Sequence, residues 1–284
     1  MGKKYGIVSY EKLNQNINNI SIEGMETIDY SRPASVRGID MLLAKYKGQP
    51  FESEIRIHVK NELRVPVLSK SLNEAKIALV TDGGLVPAGN PDNLPSSNAD
   101  CFFRYPATGS LDSVKYEISH QGYLHQDVQE NPNRLLPLDA LQTALNRHII
   151  GSISDWFYTT SGVMTSVEHS MQIGETIADA LVKDNVDGVL LTSTCGTSTR
   201  CGALIARKIE YAGIPVTHIT SLPQISLDNG VSRVLAGIHV CHVLGNPDLP
   251  KDQEDLMRLN LVLEALHMLA QTPPDDDSLY VNRL

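Results

Sequence analysis

Val186-Asp-Gly-Val-Leu-Leu-Thr-Ser193 runs into Thr194-Cys-Gly-Thr197, and Gly213-Ile-Pro215 runs into Val216-Thr-His-Ile-Thr220. The fold is read from this stretch. The first run is apolar enough for a buried strand. Between the two, Ile205, Ile209 and Ala212 share one face of a helix, which Gly213 and Pro215 stop. Residues 186–220 therefore spell a complete β-α-β unit, which requires parallel strands with helices covering the sheet.

The same alternation extends outward. Lys76-Ile-Ala-Leu-Val-Thr81 is a strand that ends in the turn Asp82-Gly83-Gly84, and Val114 to Ser119 is a second candidate strand. Pro137-Leu-Asp139 opens a helix with Leu141 and Leu145 on one face, and Ile173, Ile177 and Leu181 mark another. Val234 to Val240 reads as a last strand, and Leu256, Leu259, Leu263 and Leu266 outline a terminal helix. The expected fold is a doubly wound, mostly parallel α/β sheet with helices on both faces, over residues 71–272. Residues 1–70 have a different texture, Asn-rich with short apolar pieces. They read as an N-terminal extension or partner-binding segment, with Met41 to Tyr46 helical and Ile55 to Val59 extended. Residues 273–284, with their Pro-Pro-Asp-Asp-Asp patch, read as a polar tail.

Of the 284 residues, 42% are apolar and 20% charged, which suffices for a buried core. Acidic residues outnumber basic ones 33 to 24, for a net charge of −9. Nucleic acid and anionic membranes, which call for clustered Lys and Arg, are thereby disfavoured as partners. No apolar run reaches the roughly 20 residues of a bilayer span, and the N-terminus shows no signal-peptide core. A cytoplasmic location is expected. Four cysteines are too few for a disulfide scaffold.

The chemistry concentrates at Cys195. In open α/β sheets, ligands bind at the carboxyl ends of strands, and Cys195 stands there, just ahead of a helix. Helix N–H groups and the helix dipole favour a thiolate at such a place, and its pKa should fall below about 8.5. Gly196 and Thr197 lie beside it, and Arg200 is placed to add positive charge. Cys201, six residues on, is a candidate resolving thiol. The alternative is that both cysteines are buried small hydrophobes. Cys-x5-Cys is not a usual zinc spacing, and no metal is expected.

Thr192-Ser-Thr-Cys-Gly-Thr-Ser-Thr-Arg-Cys-Gly202 resembles the selenocysteine motif of the B component of glycine, sarcosine and betaine reductases. The resemblance extends over roughly residues 72–272. It takes in Lys76 to Pro87, Gly89-Asn-Pro91, His120-Gln-Gly-Tyr123, Asn131-Pro-Asn-Arg134 and Leu136-Pro-Leu-Asp139. Thr159-Thr-Ser-Gly162 with Thr165-Ser166, Ala212-Gly-Ile-Pro215, Ile225-Ser-Leu227, Arg233, and His242 with Gly245-Asn-Pro247 complete it. Cys195 matches the selenocysteine, Ser198 the motif's middle cysteine and Cys201 its last. The resemblance implies a thiol-dependent oxidoreductase that reductively cleaves a C–N or similar bond of a small amino-acid-like substrate. It implies a partner subunit carrying a pyruvoyl group, or a thiol or selenol carrier protein, in a homo- or hetero-oligomer, with no cofactor in this chain. In this sequence sulfur stands for selenium, Ser198 cannot form a bond to Cys195, and the layout is closer to the small selenocysteine subunit of D-proline reductase.

Further candidates follow. Asp82, Gly83 and Gly84 end the first strand and either line the crevice or only turn the chain. Ser198 is expected to cap the following helix or bond the Cys195 sulfur, and to be no nucleophile, because the motif supplies no base. His242 would suit a thiol–imidazole pair, and His120 and His125 are acid–base or ligand candidates. Thr160 is placed with the substrate residues, and Arg134 and Arg233 are candidate carboxylate anchors. His218 reads as structural, and His239 matches nothing. Two other functions remain open. One is a cofactor-independent racemase or lyase with Cys101 or Cys241 opposite Cys195; the other is a non-catalytic subunit.

Overall fold

A computed structural model describes residues 31–50, 65–109, 111–273 and 279–281. The chain divides into a unit over Met1–Lys60 and a unit over Asn61–Leu284. In the first, α1 (Ala34–Tyr46) is the described element. It is longer than the turn or two expected at Met41–Tyr46. The strand expected at Ile55–Val59 lies outside the described residues.

The second unit is built on an eight-stranded sheet. Its strands are β1 (Lys76–Thr81), β3 (Phe103–Pro106), β5 (Ser152–Ile153), β6 (Trp156–Thr159), β7 (Gly188–Ser193), β8 (Val216–Thr220), β9 (Arg233–Ala236) and β10 (Leu279–Val281). The order is β10-β9-β8-β7-β1-β6-β3, with β5 also paired to β1. Every pairing is parallel except that of β3 with β6. A separate antiparallel pair joins β2 (Leu85–Pro87) to β4 (Tyr116–Ile118). The strand expected at Val114–Ser119 thus exists, but outside the main sheet.

Alternation along the strands dictates two covered faces. Ile77, Leu79, Leu190, Ile219 and Leu235 face α3 (Leu138–Asn146) and α7 (Lys251–Ala270). Ala78, Val80, Val189, Leu191 and Val234 face α4 (Val167–Lys183) and α5 (Gly196–Tyr211). Helices on both faces of a mostly parallel sheet make the doubly wound fold expected from the sequence. No helix among the described residues is long and apolar enough to cross a membrane.

Three boundaries differ from expectation. Residues 65–70 belong to the second unit: Leu68 packs on its core, and the Pro66 carbonyl accepts from Arg233 at 2.7 Å. β9 stops at Ala236 because the chain doubles back, with Ile238 N–H donating to Val243 O. The C-terminal stretch is not wholly a polar tail, since Leu279 and Val281 add an edge strand beside β9.

Candidate active site

β1 is followed by a long connection whose helix α3 covers one face, whereas β7 leads straight into α5 on the other. Adjacent strands whose connections part to opposite faces open a crevice between their carboxyl ends. Asp82 and Cys195 stand at those two ends.

Asp82 is fully buried. Its carboxylate accepts from the hydroxyls of Ser193 and Ser198 and from the N–H groups of Thr194 and Gly202. Burial dominates these bonds and pushes the Asp82 carboxyl up to about 7. The Ser193 hydroxyl also meets His218 Nε2 at 2.6 Å, and His218 Nδ1 meets Ser226 Oγ at 2.7 Å. Burial lowers His218 to about 3. Sequence reasoning left this chain undetected. The available signal was a histidine in the otherwise apolar or hydroxylated run of β8; in register it lies opposite Leu191, and Ser193 stands two residues further along β7.

Cys195 is the N-cap of α5 and partly exposed, and no side chain caps the helix's first amides. Thr197 Oγ1 lies 3.8 Å from the Cys195 sulfur. That oxygen accepts from Met164 N–H at 3.2 Å, which leaves its own proton for the sulfur. Gly122 closes the other side. A Cβ there would stand 2.8 Å from the sulfur and 2.8 Å from His120 Cε1, so only glycine fits between thiol and imidazole. Tyr123 packs between His120 and His125, with ring centroids 4.9 and 5.0 Å away, and donates to Gly83 O at 3.0 Å. Burial raises its phenol well above 10, and the charges of Asp82, Cys241 and Cys195 add to this.

The remaining candidates fall into two groups. At the crevice, Thr160 binds Cys101 O through its hydroxyl at 2.7 Å and accepts Gly84 N–H on its carbonyl at 2.9 Å. Gly84 takes a positive φ of 74° with Ser119 O pressed against it, which only glycine tolerates. Arg200 donates to Thr165 O at 2.6 Å. His125 donates to His120 O. His242 holds Gly245 O at 2.7 Å through Nδ1 and stacks on His239 at 4.8 Å. Asp127 Oδ2 is 3.9 Å from His242 Nε2.

Away from the crevice, Cys201 is wholly buried between α4 and α5, and burial pushes its thiol up to about 12. It fits the description of a buried small hydrophobe. Ser198 neither caps α5 nor bonds Cys195. Its hydroxyl donates to the Asp82 carboxylate. Arg134 is held by Glu254 and Glu130 at 2.7 Å each. Arg233 is 0% exposed, against Glu210. Both forks are spent within the chain, that of Arg134 on buried Glu254 and exposed Glu130, that of Arg233 on buried Glu210.

Asp82 has a measurable pH signature. Its carboxyl is raised from 3.8 to about 7 on folding. The folded state therefore keeps a proton that the unfolded chain releases, and this group lowers stability as pH rises from about 4 to 7. Asp82→Asn removes that slope. Its unfolding free energy relative to wild type should climb across this window, by on the order of a few kcal/mol, and then level off. Urea midpoints at half-unit pH steps test this, and a pH-independent difference would refute it.

A family model described as "Glycine/sarcosine/betaine reductase selenoprotein B" matches residues 12–194. The match takes in most of the stretch read as an extension and ends one residue before Cys195. A glycine reductase complex component B subunit gamma from Symbiobacterium thermophilum is 39% identical over 249 residues, covering 87% of this chain and 58% of that protein. A sarcosine reductase complex component B subunit beta from Peptoclostridium acidaminophilum is 36% identical over 253 residues, covering 88% and 58%. A D-proline reductase subunit gamma from Acetoanaerobium sticklandii is 28% identical over 227 residues, covering 76% of this chain and 90% of that protein. The chain thus spans less than three-fifths of the glycine and sarcosine relatives. No solved structure matches it.

Proposed function

Because the chain belongs to the glycine/sarcosine/betaine reductase selenoprotein B family, we propose that it is the thiol-bearing component of a complex that reductively cleaves a C–N or similar bond in a small amino-acid-like substrate. The observation that carries this reading is the setting of Cys195. It is a partly exposed thiol at an uncapped helix N-terminus, in the crevice of a doubly wound sheet, with Thr197 and Gly122 against it.

In this reading the Cys195 thiolate attacks the α-carbon. A carbon–sulfur bond forms, the C–N bond breaks, and the nitrogen leaves with its electron pair and takes up a proton. A carrier thiolate or selenolate then attacks that carbon, so that the carrier–carbon bond forms as the C–S bond breaks and Cys195 leaves as its thiolate; a second thiol of the carrier reduces the carrier–carbon bond by forming a disulfide or selenosulfide, and the carbon takes up a proton. A pyruvoyl-type partner subunit would supply the carbonyl that activates the amine. Cys195 with the Thr197 hydroxyl beside it offers the complement such a partner needs, a nucleophile with a hydrogen-bond donor.

Mass spectrometry of the complex after exposure to glycine, sarcosine, betaine or D-proline tests the reading. With glycine, sarcosine or betaine the Cys195 peptide should gain the mass of the substrate less its amine; with D-proline, whose nitrogen stays tethered through the opened ring, it should gain the mass of the whole substrate. No adduct with any of the four, together with continued turnover, would end it.

A further inference from the structure

The Cys195 sulfur has one hydrogen-bond partner among the described residues, the Thr197 hydroxyl at 3.8 Å, and α5 begins without a side-chain cap. The residues on either side of the cysteine are tied instead to one carboxylate. Asp82 accepts from the Ser193 hydroxyl and the Thr194 N–H before it, and from the Ser198 hydroxyl and the Gly202 N–H after it. The backbone adds two bonds: Asp82 N–H donates to Thr192 O at 3.2 Å, and Gly162 N–H donates to Asp82 O at 2.8 Å. Two glycines clear the space that this needs. A Cβ on Gly202 would be driven into Ser193 Oγ and Asp82 Oδ2, and one on Gly162 would stand 2.9 Å from Ser198 Oγ and 3.0 Å from Asp82 Cβ. Behind Ser193 the bonds continue in one direction. When Asp82 is ionised and takes the Ser193 proton, Ser193 Oγ accepts from His218 Nε2–H, and His218 Nδ1 accepts from the Ser226 hydroxyl. A strand running into a helix needs no buried carboxylate, and an apolar side chain would avoid the cost of burying one. The donors gathered on this one all come from residues 193–202, the stretch that carries Cys195.

We propose that Asp82 is a positioning residue, whose carboxylate clamps the end of β7 to the first turns of α5 and so fixes Cys195 over the first amides of that helix. The clamp rests on the reading of Cys195 as the nucleophile and gives Asp82 its part in it. Fully buried, Asp82 acts through Ser193, Thr194, Ser198 and Gly202 and not by touching the substrate. Ser198, which stands where the family motif has its middle cysteine, supplies one of the clamp's donors.

Alkylation by iodoacetamide, read at the Cys195 peptide of the full chain, tests the clamp without a partner subunit. The sulfur takes the reagent's CH2 carbon, and iodide leaves. Asp82→Ala lets the first turn of α5 fray away from the sulfur. It should slow the reaction about tenfold at neutral pH, the scale of a helix end acting on a charge. Asp82→Asn should recover most of that rate, since its amide still accepts and both serine hydroxyls can accept as well as donate. Ser193→Ala removes one hydroxyl and little volume, so it keeps the test decisive where Asp82→Ala does not fold; it should slow the reaction about threefold. Ile209→Ala opens a cavity at the far end of the same helix and controls for lost stability. Its rate should stay within about twofold of wild type. Amide exchange over residues 194–202 should quicken at least about tenfold in Asp82→Ala and far less in Ile209→Ala. Unchanged or faster alkylation in Asp82→Ala and Ser193→Ala, whatever the exchange does, would make Asp82 a support of the fold alone and overturn the proposal. An equal slowing in Ile209→Ala would overturn it too. Absence of reaction at Cys195 in wild type would instead end the reading of Cys195 as the nucleophile.

Discussion

Cys195→Ala should lower turnover of the reconstituted complex by at least about 1,000-fold, the scale on which removal of a covalent nucleophile registers. Its urea midpoint should scarcely move. The sulfur is partly exposed and its one hydrogen-bond partner, Thr197, stands at 3.8 Å, so the change resembles a surface substitution, within about 0.5 kcal/mol. Cys201→Ala should give the opposite pattern. That side chain is wholly buried between two helices, and removing its sulfur leaves a small cavity that costs about 1–2 kcal/mol while turnover persists. Unfolding curves and turnover measured on the same two variants decide the matter. Undiminished turnover in Cys195→Ala, or its loss in a stable Cys201→Ala, would exchange the roles of the two thiols.

Arg233→Ala should destabilise the chain by about 3–5 kcal/mol and leave the substrate KM alone. The guanidinium is fully buried. It pairs with Glu210 at 3.3 Å and donates to the carbonyls of Met268, Gln271 and Pro66 at 2.9, 3.0 and 2.7 Å. Its removal strands three acceptors, and it strands a buried carboxyl that desolvation already raises to about 7 in Arg233's presence. Pairing the change with Glu210→Gln should recover much of the loss, since the penalty lies in the unpaired charge. Denaturant unfolding of both variants gives the answer. A raised KM with unchanged stability would return Arg233 to the substrate.

The fold was legible because its central unit is locally marked. The run at 186–220 carries two buried strands, an amphipathic helix and its stop signal within 35 residues, and periodicity suffices to read them. Cys195 was legible for the same reason, since strand end and helix start adjoin in sequence. What escaped were relations between distant residues. Ser198 looked like a cap because its partner, Asp82, is 116 residues away. Arg233 looked available because Glu210, one helix earlier, gives no local sign of facing it. Gly122 gives no local sign of its place, and only the folded crevice shows sulfur on one side of it and imidazole on the other. Leu279 and Val281 were hidden by the acidic patch before them.

The place of β1 in the middle of the sheet bears on how the molecule is made. Its five pairs with β7 join residues 111 positions apart, and its other partners, β5 and β6, come some 75 residues after it. A ribosome adding about 5–20 residues per second leaves β1 with both edges open for several seconds, and without β7 for longer. During that interval Ile77, Ala78, Leu79 and Val80 form an apolar strand with nothing to bury against on either face. Nascent chains therefore pass through a stage with an unpaired apolar strand, and completion of the sheet's centre waits on the segment that ends at Cys195. Cys195 is thus made together with the last strand needed to close the centre of its own scaffold.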